Sequence, residues 1–516
     1  MRFGVDFGTT RTVAAAVDRG NYPVVPVVDR LGDSHDFIPS VVAIAADGEL
    51  TAGWEAAQAA TDNFVRSFKR VLGDPETTPQ TPVRLGGEAR PLGEVLVAFA
   101  RTVVEALTAF QRQAGEHPAR SPEIVLGVPA HAGSAQRLLT MDAFSRAGAD
   151  VLGLVNEPSA AAFEYTHRHG STLNSKRNSI IVYDLGGGTF DATLLRIDGP
   201  VHHVEKSLGI NRLGGDDFDE VLLGLALKAA GRGGDALSQR IRARLIEEAR
   251  SAKENIKPQT RRVLVDLGEG GSEDVVVVPV DEFYAGVEPL VDRTLDQLSP
   301  LIGHGSDLSD TEIAGVYLVG GASSLPLVAR RVRERFGRRV HRSSMPTAAT
   351  AVGLAIAADP DSSFALNDRI ARGIGVFREL ESGRAVSFDP LVYPGAAAGA
   401  DGWIRTERTY RAAHNVGWFR YVEYAAVDDD PLNPGDLSLL TEVAVGFTPE
   451  LAGKTAAELG SVPVERIGHG DQGPLVHEEI SVDPDGIATV RISVDGQPEP
   501  VVATSSRAPR AQCASK

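Results

Sequence analysis

The sequence predicts an α/β protein of two similar lobes, followed by a smaller β-rich domain. Three observations carry that prediction. The first is a stretch present in two versions: Phe3-Gly4-Val5-Asp6-Phe7-Gly8-Thr9-Thr10-Arg11-Thr12-Val13 and Val182-Tyr183-Asp184-Leu185-Gly186-Gly187-Gly188-Thr189-Phe190-Asp191. Each reads as an apolar strand, an aspartate, a glycine turn, threonine and a second strand. A duplicated unit of this kind implies two lobes that face one cleft. The second observation is the alternation of strand-like and helix-like segments up to residue 358, the pattern of α/β folds. The third is the loss of helical periodicity beyond residue 373, where short apolar runs alternate with turn residues.

Composition sets the bounds. The 516 residues suggest about three domains. Hydrophobic residues make up 42% and charged residues 23%, which suits a soluble chain able to bury a large core. A net charge of −17 speaks against broad binding to nucleic acid or to an anionic membrane surface. The single cysteine, Cys513, leaves no disulfide framework within the chain and fits a reducing cytoplasm. Met1-Arg2-Phe3-Gly4-Val5-Asp6 turns polar too soon for a signal peptide. No apolar run approaches the roughly 20 residues of a spanning helix.

The elements follow in order. After the first hairpin, Phe37 to Ile44 is strand-like, and Asn63 to Gly73 holds Lys69 between apolar residues before Gly73 and Pro75. Leu92, Val95, Leu96, Phe99, Val103, Leu107 and Phe110 recur at helical spacing over 92–115. Glu123 to Pro129 reads as a buried strand, Ser134 to Ala147 as a helix and Val151 to Val155 as another strand. Asn156-Glu157-Pro158 then opens a helix, with Asn156 as cap and Pro158 in the first turn. Beyond the second hairpin, Leu213-Gly214-Gly215-Asp216-Asp217 is a glycine turn that feeds a helix. A longer helix over 235–257 carries the stripe Leu237, Ile241, Leu245, Ile246, Ala249, Ala252, Ile256. Its other face presents Arg250, Lys253, Glu254 and Lys257, and Arg250 and Glu254 stand at pairing distance along one helix. Residues 262–280 form two strands around the Gly268 to Gly271 loop, which no helix follows. Ile313 to Val319 is a strand, and Gly320-Gly321 leads into a helix whose N-terminus is an anion or nucleotide site. Pro346 and Gly353 bracket the start of the last helix, which ends near Ala358. Residues 359–373 read as a linker. Strands are expected over Phe419 to Tyr424, Leu439 to Phe447, Glu478 to Val482 and Ile487 to Val494, with turns at Asn433-Pro434-Gly435-Asp436 and Asp483-Pro484-Asp485-Gly486. Residues 504–516 form a polar tail, expected to be disordered.

The chemistry concentrates at the second hairpin. Three glycines remove every side chain from its turn, so backbone N–H groups can approach an anion closely. Asp184, Asp191 and the Thr189 hydroxyl flank that turn. This suits a metal-bound nucleotide phosphate better than a lone anion, because a cation offsets the carboxylates. A tight hairpin without ligand uses the same glycine chemistry. Two readings stay open elsewhere as well. Lys69 fits a solvated surface or a site, and Glu157 fits either a helix N-terminus or a carboxylate at a strand's C-terminal end, where α/β ligand sites form. No Gly-x4-Gly-Lys-Ser/Thr motif occurs, which excludes a P-loop enzyme, and the histidines lack metal-ligand spacing.

Together these segments resemble the seventy-kilodalton heat-shock chaperone family of the DnaK type. The matching stretches are Gly4 to Thr10, Lys69 to Gly73, Val128-Pro129-Ala130, Asn156 to Ala162, Asp184 to Asp191, Gly214 to Asp219 and Leu318 to Gly321, in the family's order. The resemblance implies a two-lobed, actin-like (ribonuclease H-like, duplicated) ATPase domain over 1–358, a linker over 359–373 and a smaller β-sandwich, substrate-binding domain over 374–503. It implies ATP as substrate, with Mg²⁺ and, as a further candidate, K⁺. Carried over by position, Gly8, Thr9, Thr10, Gly186, Gly187, Gly188 and Thr189 bind phosphates. Gly214, Gly215, Asp216, Lys253, Gly320 and Gly321 complete the nucleotide site, and Asp6, Asp184 and Asp191 hold the hydrated metal. Lys69, Glu157, Asp184 and Thr189 carry the hydrolysis, Lys69 by stabilising charge on the phosphoryl group and Glu157 with Asp184 by orienting water.

The chain also departs from the family pattern. Arg250 stands where a glutamate is usual, Glu254 where an arginine or apolar residue is usual, and Lys257 where a serine is usual. Ser324 replaces an arginine that stacks on the base, Thr347 replaces an aspartate, and Arg11 replaces an aromatic. The linker lacks the family's leucine run. The chain stops after the β-rich part, which implies a short, atypical member without the helical lid. The resulting expectation is a cytoplasmic, ATP-hydrolysing, chaperone-like protein of the stress-response class. It binds exposed peptide segments of clients and works with a co-chaperone or nucleotide-exchange partner, without nucleic acid or membrane. One alternative is a nucleotide-gated interaction module that hydrolyses little and serves one partner. An actin-fold small-molecule kinase is a second, against which the Asn156 to Ala162 and Asp184 to Asp191 motifs and the β-rich C-terminus stand.

Overall fold

The structure is a computed structural model that describes residues 1–59, 63–74, 77–115, 121–130, 132, 134–169, 173–174, 176–199, 201–210, 212–232, 237, 239–268, 274–302, 312–337, 339–362, 365–367, 372–380, 385–427, 430–467 and 473–504. The chain divides into two compact units. One comprises 1–71, 79–130 and 141–366, the other 72–78, 131–140 and 367–516.

Two sheets of one topology organise the first unit. In one, the strand order is Asp150–Asn156, Glu123–Val128, Arg2–Phe7, Arg11–Ala16, Ile38–Pro39. In the other it is Val340–Arg342, Ile313–Val319, Ser179–Leu185, Phe190–Asp198, Val201–Ile210 and, at the edge, Ala365–Asn367. Each sheet has an antiparallel hairpin at its centre. Two parallel strands lie on one side of it and an antiparallel strand on the other. The repeated strand–Asp–Gly–Thr–strand unit is that hairpin in both sheets, so the sequence repeat is a repeat of lobes.

Each outer parallel strand feeds a helix, Glu157–His169 after the first sheet and Ala349–Ala358 after the second. These helices pack on each other through small residues. A Cβ at Gly353 would stand 1.7 Å from the Ala160 carbonyl oxygen, so only glycine lets the backbones meet. Gly353 therefore lies inside the last helix as a contact point, not at its start as the sequence suggests. The second sheet buries both faces, with side chains alternating between them. Ile181, Tyr183 and Phe190 meet Phe218, Leu245, Phe283 and Val328 from the helices on one side. Ile180 and Val182 meet Ala161, Ala162 and Tyr165 on the other. In the first lobe the stripe of helix Leu92–Gln113 turns inward as its spacing requires, and Phe99 stacks on Phe7 with ring centres 5.6 Å apart.

The second unit is antiparallel throughout its described strands. One sheet runs Ala385–Val392, Gly373–Leu380, Val416–Val427, Asp430–Gly446, and the other Ile404–Arg411, Leu475–Val482, Ala488–Val494, Val501–Thr504. Both sheets contribute to one apolar core, which includes Val376, Tyr421, Val443, Ile480 and Val490. The Asp483 to Gly486 turn forms as its residues dictate. Asp483 Oδ1 accepts the N–H groups of Asp485 and Ile487, and Gly486 has φ +77.

Several expectations change. Asn433 to Asp436 lies within the Asp430–Gly446 strand rather than in a turn. Pro434 lacks an N–H, and register shifts opposite it, between Tyr424 and Val427, absorb the misfit. The helix expected over 235–257 is described as Gln239–Glu254. After Gly320-Gly321 comes a 3-10 turn, Gly321–Ser324, and the α-helix begins only at Pro326. The stretch read as a linker contains the edge strand Ala365–Asn367. Most of the Gly268 to Gly271 loop and the tail from 505 lie outside the described residues. Among the described residues no helix is long and apolar enough to cross a membrane.

Candidate functional site

The two glycine turns meet tip to tip. A Cβ on Gly187 would lie 2.4 Å from Thr10 Oγ1, and one on Gly188 would lie 2.7 Å from Thr9 Cγ2. Hairpin geometry produces this approach, because Gly8 N–H closes on the Asp6 carbonyl at 3.0 Å and Gly186 N–H on the Thr189 carbonyl at 3.1 Å. Gly214, Gly215 and Asp216 sit behind the second turn. The N–H groups of Gly215 and Asp216 donate to the Gly186 and Gly187 carbonyls at 2.9 and 2.7 Å. The first N–H groups of helix Gly215–Ala229 thus hold the turn in shape, and Asp217 Oδ2 accepts the Gly214 N–H at 2.8 Å. The Asp216 carboxylate accepts from Ser67 Oγ at 3.0 Å and from Arg250 at 3.1 Å, so it braces protein groups.

Beside the turns lies a buried charged cluster. Lys69 stands in a 3-10 turn, Phe68–Gly73, and is 6% exposed. Its Nζ donates to Glu157 Oε1 at 2.7 Å and to the Phe7 carbonyl. Glu157, 9% exposed, is the first residue of its helix, at the end of the 150–156 strand. Asp6 is the penultimate residue of the Arg2–Phe7 strand, and Asp184 faces Asp191 across the second hairpin. Burial, and then the Glu157 charge, pushes the Asp6 carboxyl up to about 7, against the pull of Lys69. Asp184 is raised as well, by burial first and then by Glu157, Asp6 and Asp191. Glu157 is raised too, because burial outweighs Lys69. Asp6, Glu157 and Asp184 therefore all feel the Lys69 ammonium, and burial outweighs it at each. A cation would complement these carboxyls, since opposite charge restores ionised carboxylates in a low-dielectric site. Among the described residues, no three acidic, histidine or cysteine groups converge closely enough to ligate an ion directly. The donor set fits a hydrated divalent ion such as Mg²⁺, which keeps several of its waters.

Behind the second turn the site is lined by charged residues. Lys253 donates to the Gly215 carbonyl at 2.8 Å and pairs with Asp219. Arg250 reaches Asp219 and Asp216 at 3.1 Å each and Glu247 at 3.0 Å. The pairing of Arg250 with Glu254 read from helical spacing does not form. Helix 215–229 packs alongside and offers two carboxylates to Arg250, which a four-residue spacing does not reveal. Glu254 instead pairs with Arg11 at 2.9 Å. Gly320 backs the acid cluster, where a Cβ would lie 2.4 Å from Asp184 Oδ1. Gly321 lies near Thr347, and the Ser324 carbonyl accepts from Arg342 at 2.8 Å. The sequence does not single out Ser67, and it places Arg70 and Asp219 in the matching stretches without a role. Arg70 donates to the Gly188 carbonyl at 3.3 Å, and its place beside Lys69 was the available signal.

Comparison with known proteins agrees with this geometry. A sequence profile described as Hsp70 protein matches residues 2–369. The Chaperone protein HscA homolog of Acidithiobacillus ferrooxidans (strain ATCC 53993 / BNL-5-31) is 33% identical over 374 residues, which cover 70% of this chain and 58% of that protein. The homolog of Burkholderia ambifaria (strain MC40-6) is 34% identical over 371 residues, covering 70% and 58%. Chaperone protein HscA of Klebsiella pneumoniae (strain 342) is 35% identical over 394 residues, covering 72% and 61%. The chain thus spans about three-fifths of the length of the curated relatives it matches. Its twin sheets are those of the two-lobed, actin-like ATPase fold that the profile implies. With the profile covering well over half of its residues, the chain belongs to the Hsp70 family.

Proposed function

We propose that this chain binds ATP with Mg²⁺ between its two lobes, hydrolyses it, and uses its β-rich part to hold extended peptide segments of client proteins. The observation that carries the reading is the Lys69–Glu157 pair, buried 2.7 Å apart among Asp6, Asp184 and Asp191 beside two glycine turns. Phosphoryl transfer needs positioning and charge neutralisation more than a covalent nucleophile. Lys69 Nζ stabilises negative charge on the phosphoryl oxygens. Glu157, with Asp184 and Thr189, orients the attacking water and accepts its hydrogen bond. The hydroxyls of Thr9 and Thr10 and the N–H groups of Gly186 to Thr189 bind the phosphates. When bound, Mg²⁺ supplies charge neutralisation at the phosphates, and Asp6, Asp184 and Asp191 hold its water shell.

In this reading residues 1–358 are the ATPase domain, 359–373 the linker and 374–503 a β-sandwich for peptide. The family and the chaperone names of its relatives support client binding. They also support a cytoplasmic setting and a co-chaperone or exchange partner. Single-turnover hydrolysis of ATP by the wild type and by Lys69→Ala tests the chemistry. Loss of a charge-stabilising donor is expected to slow the step by about 10²- to 10³-fold. If both proteins are inert, the hydrolysing reading fails and a nucleotide-gated interaction module takes its place. Peptide-array binding with and without ATP tests coupling, and unchanged affinity would separate the two activities.

A further inference from the structure

Two positions that depart from the family pattern meet each other in the structure. Arg11 follows the Thr9-Thr10 turn of the first lobe, and Glu254 ends helix Gln239–Glu254 of the second. Arg11 Nη2 lies 2.9 Å from both carboxylate oxygens of Glu254. The guanidinium also sits 4.3 Å from the ring centre of Phe37. Phe37 packs on Trp54 at 5.1 Å between ring centres, and its carbonyl accepts the Trp54 indole N–H at 2.9 Å. An aromatic ledge of its own lobe thus fixes Arg11, and its charged end spans to the other lobe.

Other pairs also cross between the lobes. Arg66 meets Glu247 at 3.0 Å, and Arg70 meets Asp216 at 3.5 Å. Their carboxylates have a second cation, because Glu247 and Asp216 both bond Arg250. Glu254 has Arg11 as its one ion-pair partner among the described residues. The pair is 26% and 43% exposed, within reach of dissolved salt.

We propose that Arg11 and Glu254 form a clasp across the cleft that holds bound nucleotide in place, with Arg11 acting as a positioning residue that sets the rate of release. The proposal rests on the ATP-binding reading above. A nucleotide held by turns from both lobes leaves when the lobes part, and the pair breaks when they part. Arg11 is joined directly to the phosphate-binding turn, so parting the lobes acts on Thr9 and Thr10 without slack. An ion pair of this exposure changes an equilibrium by about two- to five-fold.

The test is stopped-flow release of a fluorescent ADP analogue from the full chain at low and high ionic strength. Wild-type release is expected to speed up with salt. Arg11→Ala and Glu254→Ala are each expected to release about two to five times faster at low salt, with a flattened salt response. The double alanine variant is expected to be no faster than either single variant. The exchange Arg11→Glu with Glu254→Arg is expected to return release toward the wild-type rate. Circular dichroism checks folding, and Glu254→Gln carries the same test if an alanine variant unfolds. Wild-type rates in the single variants, additive effects in the double variant, or an exchange that restores nothing would overturn the clasp. A wild type that binds no analogue defeats the ATP reading and the clasp together. A wild type that binds it, with release indifferent to both residues, defeats the clasp alone.

Discussion

Two charged clusters in this chain solve the same problem in opposite ways. In the cleft, the Lys69 ammonium pairs with Glu157 beside Asp6, Asp184 and Asp191, and burial pushes the carboxyls of Asp6, Glu157 and Asp184 upward. In the second unit, Glu478 is fully buried between two sheets, and each of its oxygens has a donor. One is Arg378 at 2.7 Å and the other is the Tyr421 hydroxyl. Arg378 also meets Asp389 at 2.8 Å and lies 5.0 Å from the Tyr410 ring centre. Burial and the Glu478 charge push the hydroxyls of both tyrosines upward, which keeps Tyr421 protonated as a donor to Glu478. The difference separates a cluster that can take a cation from a structural tie. A buried carboxylate whose donors come from the protein is architecture, and a set of carboxylates left in charge deficit waits for a cation.

Removing the Lys69 ammonium from the first cluster is expected to have the largest effect. Lys69→Ala deepens the deficit and costs about 10²- to 10³-fold in the single-turnover rate. Next comes the tie in the second unit. Arg378→Met leaves Glu478 buried without its cation and is expected to cost about 3 kcal/mol of stability. Urea unfolding followed through Trp403 and Trp418 reads that loss. Arg378→Met combined with Glu478→Leu is expected to recover most of it. Equal losses in the single and double variants would show that charge pairing is not what holds the sheets there. Tyr421→Phe removes one donor but leaves the cation, so about 1.5 kcal/mol is expected by the same assay. The smallest effect has the opposite sign. Asp6→Asn relieves repulsion in the cleft and is expected to stabilise the nucleotide-free protein by about 1 kcal/mol. The same variant should lose most of the stabilisation that the wild type gains from Mg²⁺ and ATP. A destabilised nucleotide-free Asp6→Asn protein would place that carboxylate with the structural cluster instead.

The legible part of the site was the part written in contiguous residues. Turn chemistry ties Asp6 to Gly8 and Thr9, and Asp184 to Gly186 and Asp191, within a few positions, so local rules find them. The Glu157 helix start and the strand before it are equally local. What escaped were partners brought together from distant positions. Arg250 and Glu254 look like a pair along one helix, yet a neighbouring helix and the opposite lobe offer each a partner. Gly353 looks like a helix boundary, and the close approach of Ala160 makes it a contact point. Asn433 to Asp436 carries turn residues, and pairing with the 416–427 strand extends it instead.

The sequence by itself determined the duplicated hairpins, the alternation of strands and helices, the change to all-β structure and the residue types of the two glycine turns. These follow from local conformational preference and apolar period, which act between neighbours in the chain. Only the tertiary structure decided where the charges balance. Whether a carboxylate is tied, as Glu478 is, or left in deficit, as Asp184 is, depends on burial and on cations from far along the chain, and electrostatic energy in a poorly solvated interior responds to both.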